Sequence, residues 1–257
     1  MRCDFSDFVQ RQIFFGGLFE PIESYLFLKM IAPGMTVFDV GANCGQYTLL
    51  AASAVGASGS VHSFEPVPET FGILEEHVRL NQFDNVIVNQ AALWSEATDL
   101  SLGSEPGAPV QSGRWSAGFA AMNPSAVTVR ALRLDDYVRE HAITRIDLIK
   151  MDIEGAEPFM LEGARESLAR FRPAFLMEVN REALARLDST PERLWDEFKA
   201  LGYSAFAIGQ SRRQSGPASD FHGGKVVNVI LHVKDLPVEI TSGWDRRPVK
   251  RWACSGW

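Results

Sequence analysis

The chain has 257 residues, of which 46% are hydrophobic and 22% are charged, a balance that supports one large α/β domain or two small ones without disulfide or metal staples. Its formal net charge of −7 argues against a general binder of the nucleic-acid backbone, which needs a basic surface. Three scattered cysteines, the lack of a signal-peptide pattern and the lack of an apolar run of about 18 residues predict a cytoplasmic protein without a membrane span.

The first 32 residues carry apolar positions at near-helical spacing, interrupted by Gly16 and Gly17. This pattern predicts two short helices, which we interpret as a helical lid segment ahead of the main fold. From Thr36 onward, short apolar runs and helical patterns alternate, as in a parallel sheet with crossover helices. The elements predicted in this part are strands at 36–40, 60–64 and 86–88 and helices at 46–55 and 68–80.

Residues 94–126 are rich in Gly, Ser, Pro and Ala and are predicted to form an insertion with a short strand at 98–102. Beyond it we predict strands at 127–131, 146–151 and 173–178 and helices at 134–140, 156–169 and 191–201. Strands at 203–208 and 226–233 are joined by a polar loop without a helix, so they are expected to be antiparallel.

These elements predict an α/β fold with a mostly parallel seven-stranded sheet, helices on both faces and a C-terminal antiparallel hairpin. Residues 33–234 would form this domain, and residues 235–257 would form a tail. A sheet that ends in such a hairpin is typical of methyltransferases that use S-adenosylmethionine (SAM), whereas a nicotinamide-dinucleotide Rossmann sheet does not need it.

The first candidate site is the turn from Asp39 to Thr48, between the first strand and the next helix. Gly41 and Gly45 allow a tight turn and the close approach of a ligand, and the amides that open the helix favour an anion such as the methionyl carboxylate of SAM. Asp39 would meet the ammonium group of the same moiety. A plain strand-to-helix turn that contains glycine is the alternative interpretation.

The second candidate is Glu65, which ends the second strand and is followed by Pro66. In dinucleotide-binding folds an acidic residue about 20 positions after the glycine turn binds the ribose hydroxyls. A G-x-G-x-x-G motif would need glycine at positions 43 and 46, where this chain has Asn43 and Gln46. Those side chains obstruct a diphosphate, which SAM lacks, so the motif favours SAM over NAD.

The third candidate is the run from Asp152 to Glu157, at the carboxyl end of a predicted core strand, where ligands bind in open α/β sheets. Asp152 is expected to be the general base or an anchor for the substrate, and Glu178, at the end of the next strand, is the second choice. A divalent metal held by Asp152, Glu154 and Glu178 is an alternative. Lys150 needs a partner inside a core strand, and Asp39 is a candidate.

Weaker candidates are aromatic and basic residues near the two ends. Phe14, Phe15 and Phe19 are a possible substrate lid, although packing is the more common role of such residues. His62 is expected to be a core histidine whose ring has hydrogen-bond partners. Basic residues in the loop at 212–213 and in the tail, together with the tail tryptophans, are interpreted chiefly as solvated and anchoring residues.

The ordered set of motifs resembles the FkbM family of SAM-dependent methyltransferases. The resemblance is collinear from about residue 34 to 180, and Glu20-Pro21 fits before it. The matching segments are Asp39-Val40-Gly41-Ala42-Asn43, Gly45, Tyr47-Thr48, Phe64-Glu65-Pro66 with Pro68, Phe71 and Asn81, Ala91-Ala92-Leu93, Leu134-Asp135-Asp136-Tyr137, the run from Asp147 to Glu157, and Pro173 with Glu178.

The resemblance implies a class I SAM-methyltransferase fold, SAM as the methyl donor and methylation of a hydroxyl on a sugar, a glycolipid or a macrolide-type natural product. N-methylation of a small molecule, a non-catalytic scaffold with this fold and an NAD-dependent oxidoreductase remain alternatives, and the need for a divalent metal and the oligomeric state stay open. The residues expected to contact SAM or its demethylated product S-adenosylhomocysteine (SAH) are Asp39, Gly41, Asn43, Gly45, Tyr47, Thr48, Glu65, Pro66, Gln90, Ala91 and Asp152.

Overall fold

The structure is a computed structural model that describes residues 1–105, 115–122, 126–209, 215–218 and 225–241. Its helices are α1 Phe8–Gly16, α2 Pro21–Met30, α3 Gln46–Val55, α4 Pro68–Leu80, α5 Leu134–Glu140, α6 Glu157–Glu162, α7 Arg165–Phe171, α8 Arg181–Arg186, α9 Pro191–Ala200 and α10 Val238–Thr241, with a 3-10 helix at Ala117–Met122. Its strands are β1 Thr36–Val40, β2 Ser60–Phe64, β3 Val86–Asn89, β4 Ala92–Leu93, β5 Thr98–Ser104, β6 Trp115–Ser116, β7 Val127–Leu132, β8 Leu148–Met151, β9 Ala174–Asn180, β10 Ser204–Ile208, β11 Gly216–Ala218 and β12 Val226–His232.

The main sheet runs in the order β11-β10-β12-β9-β8-β1-β2-β3. The strands from β9 to β3 are parallel, and β12, β10 and β11 pair antiparallel. The predicted mostly parallel sheet with an antiparallel end is therefore confirmed. The sheet has eight strands within the described residues, not the predicted seven. The additional strand, β11, lies at the edge and contains only three residues, too few to show an alternating pattern.

The parallel register brings four strand ends to one edge of the sheet, since neighbouring parallel strands all point the same way. The paired residues at these ends are Val40, Phe64, Met151 and Met177. The residues that directly follow them are Gly41, Glu65, Asp152 and Glu178. The pairing of the strands thus collects candidate residues that lie far apart in the sequence.

Helices cover both faces of the sheet, as predicted. On β1, Phe38 packs into a large core with apolar residues of α5, α6, α7 and α9. Its neighbour Val37 packs into a second core with residues of α2 and α3. The strand is buried on both faces, which accounts for its unbroken apolar character apart from Asp39. No helix in the described part of the chain is long and apolar enough to cross a membrane.

A second sheet, in the order β4-β7-β5-β6, follows β3 and includes the strands predicted at 98–102 and 127–131. Leu102 and Trp115 of this sheet pack with Val67 in a small separate core. The hydroxyl of Ser116 donates to the carbonyl oxygen of Glu154 at 2.9 Å. These contacts fix the second sheet beside the edge where the candidate residues meet.

The prediction of one helix at 156–169 is wrong, because the chain forms two shorter helices, α6 and α7, with Gly163 between them. A Cβ on Gly163 would lie 2.0 Å from the carbonyl oxygen of Trp94. Backbone packing at this glycine is a tertiary contact that helical periodicity does not reveal. The two short N-terminal helices predicted on either side of Gly16 and Gly17 are present as α1 and α2.

Candidate functional site

The carboxyl ends of the parallel strands open into a cleft with a volume of about 220 Å³. The loops after β1, β2 and β3 line one part of it, and the residues that follow β8, together with Glu178 near the end of β9, line another. The segment around α1 and the second sheet complete its walls. An open α/β sheet binds ligands at this edge, and the cleft is therefore the candidate site.

Gly41 is the first residue after β1, and its φ of +81° lies in the left-handed region. A Cβ at this position would lie 1.9 Å from the carbonyl oxygen of Asp152, so glycine is required. The amides of Gly41 and Ala42 both donate to the carbonyl oxygen of Phe64 at 3.0 Å. The loop is consequently locked against β2 on one side and against the end of β8 on the other.

Glu65 is a buried carboxylate at the end of β2, and the backbone holds both of its oxygens. One accepts from the amide of Asn43 and the other from the amide of Val67, each at 3.0 Å. Burial raises the pKa of Glu65 to about 7, while these two hydrogen bonds oppose the rise. A carboxylate has about four acceptor positions, so two remain for further donors such as a pair of ribose hydroxyls.

The remaining amides of the loop bond within it. The amide of Cys44 donates to Oδ1 of Asn43 at 2.6 Å, and the amide of Gly45 donates to the carbonyl oxygen of Ala42 at 2.9 Å. An anion at this turn would therefore meet the first amides of α3 and not those of the loop. Gly45, at the N-cap of α3, supplies no side chain to cap these amides, and the helix dipole favours an anion there.

Gln46 ties the N-terminal segment to the start of α3. Its Oε1 accepts from the amide of Phe19 at 2.6 Å. Its Nε2 donates to the carbonyl oxygen of Phe19 at 2.8 Å and lies 3.0 Å from Oγ of Ser24. Glu20, the next residue, has a φ of +48°, and its carboxylate accepts from the hydroxyl of Tyr47 at 2.9 Å. This clamp brings Glu20 into the cleft wall.

Asp39 lies beneath the cleft and not in its wall. Its Oδ2 accepts from the hydroxyl of Thr48 at 2.6 Å, and the same hydroxyl is 2.8 Å from that of Ser63. Burial raises the pKa of Asp39 to about 6, and the hydrogen bond from Thr48 opposes the rise. Asp39 and Thr48 thus fasten β1 to α3 from below, and their predicted contact with the cofactor stays a prediction.

Lys150 is a buried cation at the base of the cleft. Its ammonium lies 3.6 Å from Oδ2 of Asp152 and 4.8 Å from the centre of the Tyr47 ring. Asp39, the expected partner, faces Lys150 in the strand register, but the ion pair forms with Asp152. Burial alone would lower the pKa of Lys150, yet the surrounding carboxylates, chiefly Asp152 and then Glu20, raise it.

Glu178 is a strongly perturbed acid in the cleft. Burial, followed by the charge of Asp152, raises the pKa of Glu178 to about 9. A raised pKa favours the protonated form of Glu178, which can donate a hydrogen bond, while Asp152 is held in its ion pair with Lys150. Within the described residues, no group of three or more His, Cys, Asp or Glu side chains could hold a metal ion, so the alternative metal site receives no support.

Residues outside the cleft wall fix the turn that follows Asp152. Glu154 has a φ of +51°, and a Cβ on Gly155 would lie 2.4 Å from the carbonyl oxygen of Ala183. Oε1 of the buried Glu157 accepts from the amide of Gly155 at 3.3 Å, whereas its Oε2 has no hydrogen-bond partner. Burial raises the pKa of Glu157 to about 7. Glu157 thus supports the turn from outside the cleft wall.

Comparison with known proteins adds the decisive observation. The model of the methyltransferase FkbM domain family matches residues 39–205, more than half of the chain, and this range contains both the glycine loop and the turn after β8. The chain belongs to the FkbM methyltransferase family. The predicted resemblance is thereby confirmed, together with the class I fold and with SAM as the cofactor of the family.

Individual relatives are distant. The 31-O-demethyl-FK506 methyltransferase FkbM of Streptomyces tacrolimicus is 28% identical over 163 residues, which cover 53% of this chain and 62% of that protein. Methyltransferase 1 of Beauveria bassiana (strain ARSEF 2860) is 28% identical over 143 residues, or 49% and 57% of the two chains. The chain thus spans about three fifths of these relatives. The solved FkbM methyltransferase of Methylobacillus flagellatus KT is 15% identical, with a TM-score of 0.48, over 77% of this chain and 43% of that one.

Most residues predicted from the FkbM motifs converge on the cleft. The expected cofactor contacts that line it are Gly41, Asn43, Tyr47, Glu65, Pro66, Ala91 and Asp152, and Glu178, the second choice of base, lines it as well. Gly45 does not line the cleft, and Gln90 is exposed outside it.

His62 is the expected core histidine, since its Nδ1 is 2.8 Å from the hydroxyl of Tyr137 and burial lowers its pKa to about 4. The candidates at 212–213 and in the tail beyond residue 241 lie outside the described residues.

Sequence reasoning missed two residues of the site. In the sequence, Glu20 only fits the FkbM resemblance, yet in the structure it lines the cleft and its charge acts on Lys150. In the sequence, Gln46 is only a departure from a dinucleotide motif, yet it fixes the segment that carries Glu20. A glutamate directly before the first-turn proline of a helix is the available signal for Glu20.

Proposed function

We propose that the protein transfers the methyl group of SAM to a hydroxyl oxygen of a sugar, a glycolipid or a macrolide-type natural product. One observation carries the proposal: a single cleft joins the glycine loop and Glu65 to a second group of polar residues around Asp152. We call the loop from Gly41 to Gly45 with Glu65 the cofactor half of the cleft. The acceptor half consists of Glu20, Lys150, Asp152 and Glu178.

The cofactor half fits SAM by its chemistry. Glu65 presents a buried carboxylate with free acceptor positions for ribose hydroxyls. The N-cap residue Gly45 leaves the first amides of α3 without a side-chain cap, although Asp39 bonds the amide of Thr48, and this helix start suits the methionyl carboxylate. The loop has no space for a side chain at Gly41, which allows a ligand to approach the backbone closely. When bound, SAM supplies an electrophilic methyl group to the cleft.

In the acceptor half, Asp152 is the group that would accept the proton of the acceptor hydroxyl. Lys150 holds this carboxylate in place through the ion pair, and the amide of Asp152 donates to the carbonyl oxygen of Val40 at 3.0 Å. Glu178, protonated because of its raised pKa, would donate a hydrogen bond that orients the acceptor. A positioned general base accelerates such a step by about 10²–10⁴-fold.

The choice of a natural-product hydroxyl is supported by the relative from Streptomyces tacrolimicus, whose name describes a methyltransferase that acts on 31-O-demethyl-FK506. Carboxyl groups beside an aromatic wall also suit a hydroxylated acceptor, because the carboxylates accept hydrogen bonds from hydroxyl groups. Phe19 and Trp115 contribute to that wall.

The first experiment is calorimetric titration of the protein with SAM and SAH, with NADH as a control ligand. Micromolar binding of both cofactors, lost in Glu65→Ala, supports the cofactor half. Failure of both to bind would reject the proposal in favour of a non-catalytic scaffold. Tight binding of NADH alone would instead support an oxidoreductase.

The second experiment measures transfer of labelled methyl from SAM to a panel of sugar, glycolipid and macrolide hydroxyls and to amines. Asp152→Asn should lower kcat by about 10²–10⁴-fold without loss of SAH binding. Asp84→Asn, an exposed aspartate outside the cleft wall, is the matched control and should leave turnover unchanged. Unchanged kcat and acceptor KM in Asp152→Asn would exclude it as base and as anchor, and methylation of amines alone would exclude O-methylation.

A further inference from the structure

Helix α1 buries the opposite face from the one its composition predicts. Its buried residues are Gln10 and Ile13, whereas the phenylalanines Phe8, Phe14 and Phe15 are 49%, 57% and 76% exposed. A helix that packs on a core ordinarily turns its largest apolar side chains inward. The common role of aromatic residues in core packing therefore does not apply to Phe14 and Phe15, which lie outside the two large hydrophobic cores.

The exposed rings form one continuous surface with Phe5, which is 53% exposed. The centre of the Phe5 ring lies 4.7 Å from that of Phe14 and 6.0 Å from that of Phe15, and the centres of the Phe14 and Phe15 rings are 5.1 Å apart. We call Phe5, Phe14 and Phe15 the phenylalanine platform. A cluster of exposed aromatic rings on a protein surface marks a binding site more often than isolated apolar residues do.

Phe8 connects this helix face with the cleft, because it is half exposed and also lines the cleft wall. Its ring meets that of Phe19 edge to face, with centres 6.3 Å apart, and Phe19 is a wall residue as well. The side chain of Gln46 forms hydrogen bonds with both the amide and the carbonyl oxygen of Phe19. Helix α1 therefore carries two of the platform rings and, through Phe8, an aromatic ring of the cleft wall that packs against Phe19.

The exposed charged residues next to the platform in the sequence are of mixed sign. Arg2 and Arg11 are exposed, and so is Asp4, whose carboxylate accepts from the amide and the hydroxyl of Ser6. A surface that recruits anionic lipids or polyanions carries a clear excess of basic residues. The mixed charge and the aromatic rings favour an uncharged apolar body as the occupant.

We propose that the phenylalanine platform binds the apolar body of a neutral amphiphilic acceptor whose hydroxyl group reaches the acceptor half of the cleft. This inference rests on the proposed methyl transfer and specifies its substrate class. Phe8 and Phe19 are the contacts along which the acceptor passes from the platform into the cleft.

The test uses straight-chain 1-alkanols from hexanol to decanol as neutral amphiphilic probes, with the protein saturated with SAH and binding followed by ligand-observed NMR. Full burial of a methylene contributes about 0.8 kcal/mol, so contact on one side predicts an affinity gain of about twofold for each added methylene. In Phe14→Ala/Phe15→Ala this dependence on chain length should disappear. SAH affinity should remain within about twofold of that of the wild type, since neither ring touches the cleft wall.

The matched control is Leu80→Ala/Ile87→Ala, which removes two exposed apolar side chains, 51% and 38% exposed, that do not line the cleft. This variant should keep the chain-length dependence. The proposal is overturned if the affinity of the wild type does not depend on the chain length of the alkanol. It is also overturned if Phe14→Ala/Phe15→Ala keeps the same dependence as the wild type.

Two further measurements separate other occupants. Sedimentation of the wild type, but not of the platform variant, with phosphatidylcholine vesicles in the absence of a chain-length dependence overturns the proposal in favour of a membrane surface. If the wild type dimerises, the platform variant does not, and alkanol affinity shows no dependence on chain length, the proposal is overturned in favour of a second copy of this chain on the platform. Failure of SAH to bind while the alkanols still do would contradict the methyltransferase function and the acceptor role of the platform, but not the platform as an apolar site.

Discussion

The two halves of the cleft satisfy their polar groups in different ways. In the cofactor half, backbone amides hold the carboxylate of Glu65, and the other amides of the loop bond to carbonyl oxygens or to the side chain of Asn43. In the acceptor half, Glu20, Asp152 and Glu178 depend on side chains from other elements, above all on Lys150 and Tyr47. One half is defined by backbone geometry and the other by the balance of charges.

This difference indicates which half tolerates change. Backbone pairing fixes positions whatever the pH, apart from the ionisation of Glu65 itself. In the acceptor half, removal of one charged group alters the proton affinity of the others, since like charges that lie close together raise one another's pKa. We therefore expect steric changes to damage the cofactor half most and changes of charge to damage the acceptor half most.

The largest effect is expected from Gly41→Ala. The new Cβ would collide with the carbonyl oxygen of Asp152 and would also require alanine at a φ of +81°. Strain and displacement of backbone together should lower the free energy of unfolding by about 3–5 kcal/mol. SAH affinity should fall by at least about tenfold, because the loop and the turn after β8 move together. Denaturant unfolding and calorimetry measure the two effects.

Gly72→Ala is the matched control for this substitution. Gly72 lies within α4, and a Cβ there would meet nothing within 4 Å. Alanine should stabilise the helix by about 0.5–1 kcal/mol and leave SAH binding intact. If Gly41→Ala behaves like Gly72→Ala, the close packing of the loop against Asp152 is not what defines the cofactor half.

The same contrast explains what could be predicted from the sequence. Gly41, Glu65 and Asp152 follow predicted strands, and Glu178 ends one. Parallel strands carry their carboxyl ends to one edge, so the convergence of these residues is foreseeable. The break between α6 and α7 and the pairing of Lys150 with Asp152 depend on tertiary contacts of single residues, which no periodicity shows.

Glu20 illustrates the same point for the acceptor half. It precedes the sheet in sequence and reaches the cleft because Gln46 binds the backbone of Phe19. Likewise, the apolar spacing of α1 predicts a helix but not the face that it buries. Residues placed by one long-range hydrogen bond, or by the orientation of a short helix, leave no pattern in the local sequence.

A second prediction concerns Glu157, which supports the turn of the acceptor half. Its pKa is raised from 4.5 to about 7 in the folded protein. Between these values the native state holds a proton that the unfolded chain has released, so stability falls as the pH rises and the loss is complete above about pH 7. Glu157→Gln lacks this titration. The variant should match the wild type at pH 5 and be more stable by about 2–3 kcal/mol at pH 8.

Thermal unfolding of both proteins from pH 5 to 8 measures this difference, which should appear as a shift of several degrees at the upper end. Glu140→Gln, at an exposed position, is the control and should show no pH-dependent difference from the wild type. A gap between Glu157→Gln and the wild type that shrinks as the pH rises would contradict the inferred direction of the pKa shift.

A third prediction tests the charge of Glu65. Because its pKa is about 7, the fraction of ionised carboxylate falls as the pH decreases through neutrality. Ribose hydroxyls donate more strongly to the ionised form, so SAH affinity should weaken from pH 8 to pH 6. Glu65→Gln should lower the affinity at pH 8 by about ten- to a hundredfold and abolish this pH dependence. Calorimetric titrations at several pH values measure both effects, and a full pH dependence in the variant would assign the titration to another group.

The smallest effect is expected from Tyr47→Phe, which tests whether the two halves are separable. Tyr47 lies in the helix that begins at the cofactor loop, but its hydroxyl donates to Glu20. The variant keeps the ring over Lys150 and loses that hydrogen bond, so stability should fall by about 1 kcal/mol. Tyr203→Phe, which loses a 2.8 Å hydrogen bond to the carbonyl oxygen of Pro173 outside the cleft wall, should show a similar loss. SAH affinity should change less than about twofold in both variants. A selective loss of SAH affinity in Tyr47→Phe would mean that this hydroxyl serves the cofactor, as the sequence motif suggests. Glu20 would then contribute to both halves of the cleft.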